Sequence, residues 1–156
     1  MDDREKQIQI ITQRFRMVYK SVQAHSKTVE KQCGLSSAQL GMLYEIAQTP
    51  GQKVTQLAAT LTIHTSTCSN MLDKLEIKNL IYRDRPKNDQ RSVHLHITDT
   101  GKALLDKAPK PVQGKLTNAL EQMDSQHLRL LQVSLESLID ALNVTDDKAG
   151  LIPILE

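Results

Sequence analysis

Tryptophan is absent from this 156-residue chain, and one phenylalanine and three tyrosines are its only other aromatic rings of that class. Any core it builds is therefore aliphatic, chiefly leucine and isoleucine. The two cysteines, Cys33 and Cys68, are too few for a disulfide scaffold and lack metal-site spacing. No stretch approaches the ~20 consecutive apolar residues needed to cross a bilayer. The opening MDDREKQIQI is charged where a secretory signal would be apolar. These absences lead to the expectation of a soluble, cytoplasmic chain. There is also no phosphate-cradling glycine loop, no nucleophile paired with a base and no cluster of carboxylates, so the chain does not read as an enzyme and implies no cofactor.

What is present is unevenly distributed. The net charge of +2 identifies no partner, but residues 74–91 hold six basic side chains against three acidic ones, a local +3. Lys74, Lys78, Arg83, Arg85, Lys87 and Arg91 supply that charge. The rest of the chain is slightly negative.

Apolar spacings of three and four from Arg4 to Gln32 (Ile8, Ile11, Phe15, Val18, Val22, Val29) predict a long amphipathic helix that Gly34 ends. His25 interrupts its seam. A shorter helix follows Ser36 and Ser37 and stops at Thr49-Pro50-Gly51. Two more helical pieces, 54–61 and roughly 65–78, are separated by three residues, the pattern of a helix-turn-helix. In the second of them Cys68, Met71, Leu72 and Leu75 form an inward stripe, and Thr65, Ser66, Thr67, Ser69, Asn70, Asp73 and Lys74 face outward. Two alternating strands, IYRDR and SVHLHI, enclose a Pro, Asn and Asp turn and predict a hairpin. Thr98 caps a further helix with Asp99 in its first turn. Pro109-Lys110-Pro111 interrupts that helix, and a leucine-rich helix is predicted from about Ser125 to Asn143. The closing GLIPILE is unusually apolar for a terminus.

A helix with a short-chain polar face suits the DNA major groove, where base edges present distinguishable donors and acceptors. A hairpin tip carrying Arg85, Lys87 and Arg91 suits phosphates or an adjacent minor groove. Separately, each feature is also explained by ordinary solvated surface. Their order, helix-turn-helix followed by basic hairpin, favours DNA. On this reading Ser66, Thr67, Ser69 and Asn70 include the base readers, and Lys74 contacts phosphate.

Residues 54–101, VTQLAATLTIHTSTCSNMLDKLEIKNLIYRDRPKNDQRSVHLHITDTG, resemble the multiple-antibiotic-resistance regulator (MarR) family of bacterial winged-helix transcription factors. The most specific piece is Asp89-Gln90-Arg91 followed by Ile97-Thr98 and Gly101. It is similar to the family's wing signature, in which an acid orients an arginine that enters the minor groove. The resemblance implies Asp89 as the orienting residue and Arg91 as the DNA contact. It also implies an obligate homodimer and a small-molecule effector, an aromatic carboxylate or phenol, that relieves repression. Three positions depart from the family pattern. Gln90 replaces a frequently basic residue, Thr62 stands where the turn often has glycine, and His64 stands where a serine often caps the recognition helix.

The expected architecture is mainly α (α+β), one unit over 1–156. A winged helix-turn-helix lobe occupies 36–108, and dimerisation helices lie at 1–33 and 112–156. Ile8, Ile11, Phe15 and Val18 near one end, and Leu128, Leu131, Leu135, Leu138 and Leu142 near the other, make more apolar surface than one lobe can cover. A two-fold partner would cover it and call for an inverted-repeat operator. His25 is either a seam-edge histidine bonded to a neighbour or a polar handle for the effector in a largely apolar pocket. His94 and His96 share a strand face without an evident third ligand, so no metal site is expected, and a solvated outer face accounts for them. Two other functions fit parts of the sequence, an oxidation-sensing regulator acting through Cys33 and a helical protein–protein adaptor.

Overall fold

A computed structural model describes residues 1–154; the last two residues of the apolar GLIPILE tail lie outside the described residues. Helix α1 runs Asp3–Cys33, α2 Ser37–Gln48, α3 Val54–Leu61 and α4 Thr65–Ile77. Strands β1 (Ile81–Asp84) and β2 (His94–Ile97) follow, then α5 Asp99–Lys107, α6 Lys115–Glu121, α7 Ser125–Ala141 and a 3-10 turn, Asp147–Leu151. The fold is mainly helical with one small antiparallel sheet, a winged helix-turn-helix.

Local chemistry sets most of the boundaries. Asp2 and Glu5 form a reciprocal capping box at the start of α1, and Ser36 and Gln39 form another at the start of α2. Gly34 closes α1 at φ 66°, donating its N–H to the Glu30 carbonyl at 2.9 Å. Thr98 begins α5 by accepting from the Gly101 N–H at 3.0 Å, while its own hydroxyl donates to the Asn79 carbonyl at 2.7 Å. Asp124 caps α7 by accepting from the Gln126 and His127 N–H groups, both at 3.0 Å.

The core is aliphatic and lies in the middle of the chain. Leu40, Leu43 and Ile46 of α2 meet Leu57 of α3, Met71, Leu72 and Leu75 of α4, and Ile81 and Leu95 of the hairpin, all fully buried. From α1 only Val29 joins them as a buried apolar residue. Residues 1–21 are exposed throughout, so the first half of α1 stands clear of the lobe. Helix α7 has no buried residue; Leu128 and Leu131 are half-buried and the leucines beyond them more open.

Three features escaped the sequence reading. Helix α6 was not expected in the segment after Pro111, where Gly114 at φ 98° provides the turn that starts it. The 3-10 turn at 147–151 was not expected either. Gln52 pairs with Leu95 across the free side of β2, giving the hairpin a third, one-residue edge. That edge corrects the reading of His94 and His96 as a solvated outer face. Both are half-buried, His94 Nδ1 lies 2.8 Å from the Gly51 carbonyl, and His96 stacks on Tyr82 with centroids 5.2 Å apart.

Candidate nucleic-acid interface

The helix-turn-helix is held at its turn by a strained residue. Thr62 sits in the left-handed region at φ 55°, at the position where the family often has glycine. Its N–H donates to the Ala59 carbonyl at 3.2 Å, and the Ile63 N–H to Ala58 at 3.0 Å. The turn bends there regardless of the missing glycine. Helix α4 begins at Thr65, with His64 as its N-cap residue and no side-chain cap. The His64 N–H donates instead to the Leu151 carbonyl at 3.1 Å, a contact from the far end of the chain.

The inward stripe of α4 is Cys68, Met71, Leu72 and Leu75, all buried. Burial pushes the Cys68 thiol up to about 11. Thr65, Ser66, Asn70 and Lys74 are exposed on the opposite side, and Thr67 and Ser69 are half-buried on its flanks. The helix thus presents hydroxyl and amide groups outward with little bulk, so its backbone can lie close to another surface.

Arg83, on β1, is a positioning residue that sequence reasoning did not select. Its guanidinium pairs with Asp73 at 2.9 Å and Glu76 at 3.3 Å, both on α4. This ties the hairpin to one flank of the polar helix and fixes their relative orientation. The sequence signal was the alternation in IYRDR, which puts Arg83 on the same strand face as Ile81 and so toward the helix.

At the hairpin tip, residues 85–93, the backbone is set by Asp89. Its carboxylate accepts from the Arg91 N–H at 3.1 Å and from the Ser92 hydroxyl at 2.6 Å. These bonds, Ser92 first, hold the Asp89 carboxyl below the usual carboxylate range. Asp89 therefore orders Arg91 through its main chain. The guanidinium is exposed, and among the described residues no ion pair holds it. Arg85 is exposed and donates to the Gln90 carbonyl at 3.1 Å, bracing the tip, and Lys87 is exposed beside it. Gly101, the last residue of the signature, has no room for a side chain: an added Cβ would meet the Leu80 carbonyl oxygen at 2.3 Å. It lets α5 close onto the base of the hairpin.

A cavity of about 300 Å³ lies behind the turn, walled by Val22 and His25 of α1, Gly41 of α2, Ile63 of the turn, Lys115 of α6 and Ile152. His25 is 6% exposed, and its Nε2 has no hydrogen-bond partner. Burial first, then the nearby Lys115 charge, pulls its pKa below the ordinary 6.5, against an opposing contribution from the Pro111 backbone. Burial thus favours the neutral ring. Cys33 is half-buried and its thiol is pushed up by that burial, which disfavours the thiolate needed for oxidation sensing. No group of three metal-ligating side chains is found among the described residues, and no helix there is long and apolar enough to cross a membrane.

Two helices in a tight turn, a polar outward helix and a basic hairpin pinned to its flank define a winged helix-turn-helix. Residues 35–93 match the model of the MarR family. The chain is 34% identical over 94 residues to YkoM, an uncharacterized HTH-type transcriptional regulator of Bacillus subtilis, covering 60% of each chain. It is 36% identical over 75 residues to MdtR, an HTH-type transcriptional repressor of the same organism, covering 48% of each. The chain thus spans between about half and 60% of the length of these relatives. Among solved structures it resembles CouR, a transcriptional repressor bound to a 23-mer DNA duplex, at 28% identity and TM-score 0.53 over 80% of this chain and 89% of that one. A MepR-like protein complexed with pseudoligands shares the fold at 22% identity and TM-score 0.61, over 86% and 95% of the two chains. The stretch that carries the helix-turn-helix and the hairpin is thus similar to the MarR family.

Proposed function

We propose that this protein is a cytoplasmic, homodimeric transcriptional repressor that binds duplex DNA at an inverted repeat and is released by a small molecule. The observation that carries this reading is the Arg83 bridge, which holds a polar helix and a basic hairpin in one orientation toward a common surface. Thr65, Ser66, Thr67, Ser69 and Asn70 read bases, Lys74, Arg85 and Lys87 meet phosphates, and Arg91, ordered by Asp89, enters the minor groove. The likeness to a repressor with DNA bound in its structure supports the same direction. The domain division follows: residues 36–108 contact DNA, while 1–33 and 112–156 pair the two copies.

Dimerisation is supported by surface that the single chain leaves open. Ile8, Ile11, Phe15 and Val18 are 47–55% exposed, and Leu135, Leu138 and Leu142 are 37–64% exposed. With the half-buried Leu128 and Leu131 they form two stripes of a size that soluble monomers rarely leave uncovered. Two-fold pairing would set the two α4 helices about 34–36 Å apart, or a multiple of that. The effector reading rests on His25, whose bare, buried Nε2 borders an otherwise mostly apolar cavity suited to an aromatic ring with one polar group.

The test is DNA binding at matched salt. Arg91→Ala should weaken it by about 1.5–3 kcal/mol, the value of one charge-assisted contact. Substituting Lys74 should weaken all sequences alike and flatten the salt dependence. A parent chain that sediments as a folded monomer, or an Arg91→Ala chain that binds as tightly as the parent, refutes the reading.

A further inference from the structure

After α7 the chain turns back onto the helix-turn-helix. Asp146 accepts from the Lys148 N–H at 3.0 Å and starts the turn Asp147–Leu151, whose last carbonyl receives the His64 N–H at 3.1 Å. That bond places the returning segment at the very start of α4. Ile152 then borders two spaces. One is the cavity of His25. The other is a crevice lined by Thr67, Asn70 and Lys74 of α4 and by Ser36 and Gln39 at the start of α2.

The helical wheel of α4 shows which side this is. Its buried stripe is Cys68, Met71, Leu72 and Leu75. Asp73 and Glu76, which hold Arg83, lie on the hairpin flank. Thr67, Asn70 and Lys74 lie toward the other side, at successive turns of one helix face. Ile152 therefore occupies the flank opposite the wing, beside Lys74. The seat is shallow, because Ile152 remains 53% exposed and Ile154 62%.

We propose that residues 147–154, the end of the segment assigned above to pairing, form instead an autoinhibitory strap on the chain's own α4. When α4 enters a major groove, the sugar–phosphate backbone passes along the flank that carries Lys74, and Ile152 occupies that path. The strap must leave the crevice before DNA seats. Because Ile152 also lines the His25 cavity, a molecule that fills the cavity and packs against Ile152 holds the strap down and keeps the chain off DNA. This rests on the DNA-binding reading given above.

The test uses the unmodified chain, the full chain with Ile152→Ser and Ile154→Ser, and a chain ending at Asp146. The probe is random-sequence duplex DNA several turns long, at low salt. If the strap leaves the crevice open in a third to a tenth of free molecules, removing it tightens binding about threefold to tenfold. Hydrogen exchange at the His64 amide gives an independent readout in the unmodified chain. It should be about threefold to tenfold slower than an open amide in the free protein and lose that protection once DNA is bound, because the Leu151 carbonyl has withdrawn. A His64 amide that stays protected on DNA overturns the strap, even if the altered chains fold poorly. Well-folded altered chains that bind no tighter than the parent, while the parent binds, overturn it alone. If no form binds duplex DNA, the DNA-binding reading falls and the strap falls with it.

Discussion

Replacing Gly101 by alanine separates packing from helix propensity, because the two predict opposite signs. Gly101 lies in the first turn of α5, and alanine there would gain up to ~1 kcal/mol from propensity and reduced unfolded-state freedom. Its Cβ, however, would sit 2.3 Å from the Leu80 carbonyl oxygen and 2.7 Å from Ile97 Cγ1. The first of these atoms is main chain and cannot swing aside. Relief requires α5 and the α4–β1 junction to separate by about an ångström, the scale at which overpacked cores lose ~1–3 kcal/mol and sometimes more. The same shift loosens the Thr98 hydroxyl bond to the Asn79 carbonyl, a further ~1 kcal/mol. The net expectation is destabilisation by roughly 1–3 kcal/mol, or a Tm lower by about 2–12 °C for a chain of this size. Differential scanning calorimetry at fixed protein concentration measures it directly. A Tm equal to or above that of the parent would show that α5 and the hairpin base are not in contact as described.

Thr62→Gly should raise stability by about 0.5–1 kcal/mol in chemical denaturation, since a β-branched residue at φ 55° is strained and glycine is not. An unchanged midpoint would mean that the turn relaxes in solution. Arg83→Met should change stability by ~1 kcal/mol or less, because its carboxylate partners are 43–59% exposed, yet weaken duplex binding several-fold by freeing the wing. Equal affinity for parent and variant would remove Arg83 from the positioning role. For His25, burial lowers the folded pKa, so the unfolded chain binds the proton more readily. Its contribution to stability is therefore intact above the ordinary 6.5 and falls as pH drops from there toward the folded value. Thermal melts of the parent across that window should slope more steeply than those of His25→Gln; parallel slopes would place His25 in water.

The parts of the fold that were legible in the sequence are those where one local rule dominates. The helix that follows Ser36 and Ser37, the Thr98 cap, the Gly34 stop and the Cys68-Met71-Leu72-Leu75 stripe each depend on residues within a few positions of one another, and the structure places the cap, the stop and the stripe as their spacing implies. What escaped depends on contacts distant in the chain. Gln52 looks like an ordinary loop residue until its side chain reaches the Glu45 carbonyl and its backbone pairs with Leu95. Helix α6 is short, with no buried residue to give it a pattern, and it gains definition from packing against α1.

The site shows the same division in two sets of charged residues. Asp89 and Arg91 are two residues apart, close enough for a sequence signature to couple them, but the signature is silent on which atoms meet. In the folded chain the carboxylate takes the Arg91 amide and the Ser92 hydroxyl. An acid that paired with the guanidinium would neutralise the charge the wing presents; one that binds the main chain fixes the turn and leaves the cation available. Arg83 has the reverse assignment. It belongs to the same basic run, but its position on the inward strand face brings it to Asp73 and Glu76, so its charge is spent on holding the wing to α4. Of the six cations between Lys74 and Arg91, net charge counts them equally, while strand alternation already distinguishes Arg83 from Arg91. The +3 of that segment therefore overstates what reaches a nucleic acid, and the geometry of each arginine, more than the sum, decides which substitution loosens the fold and which weakens binding.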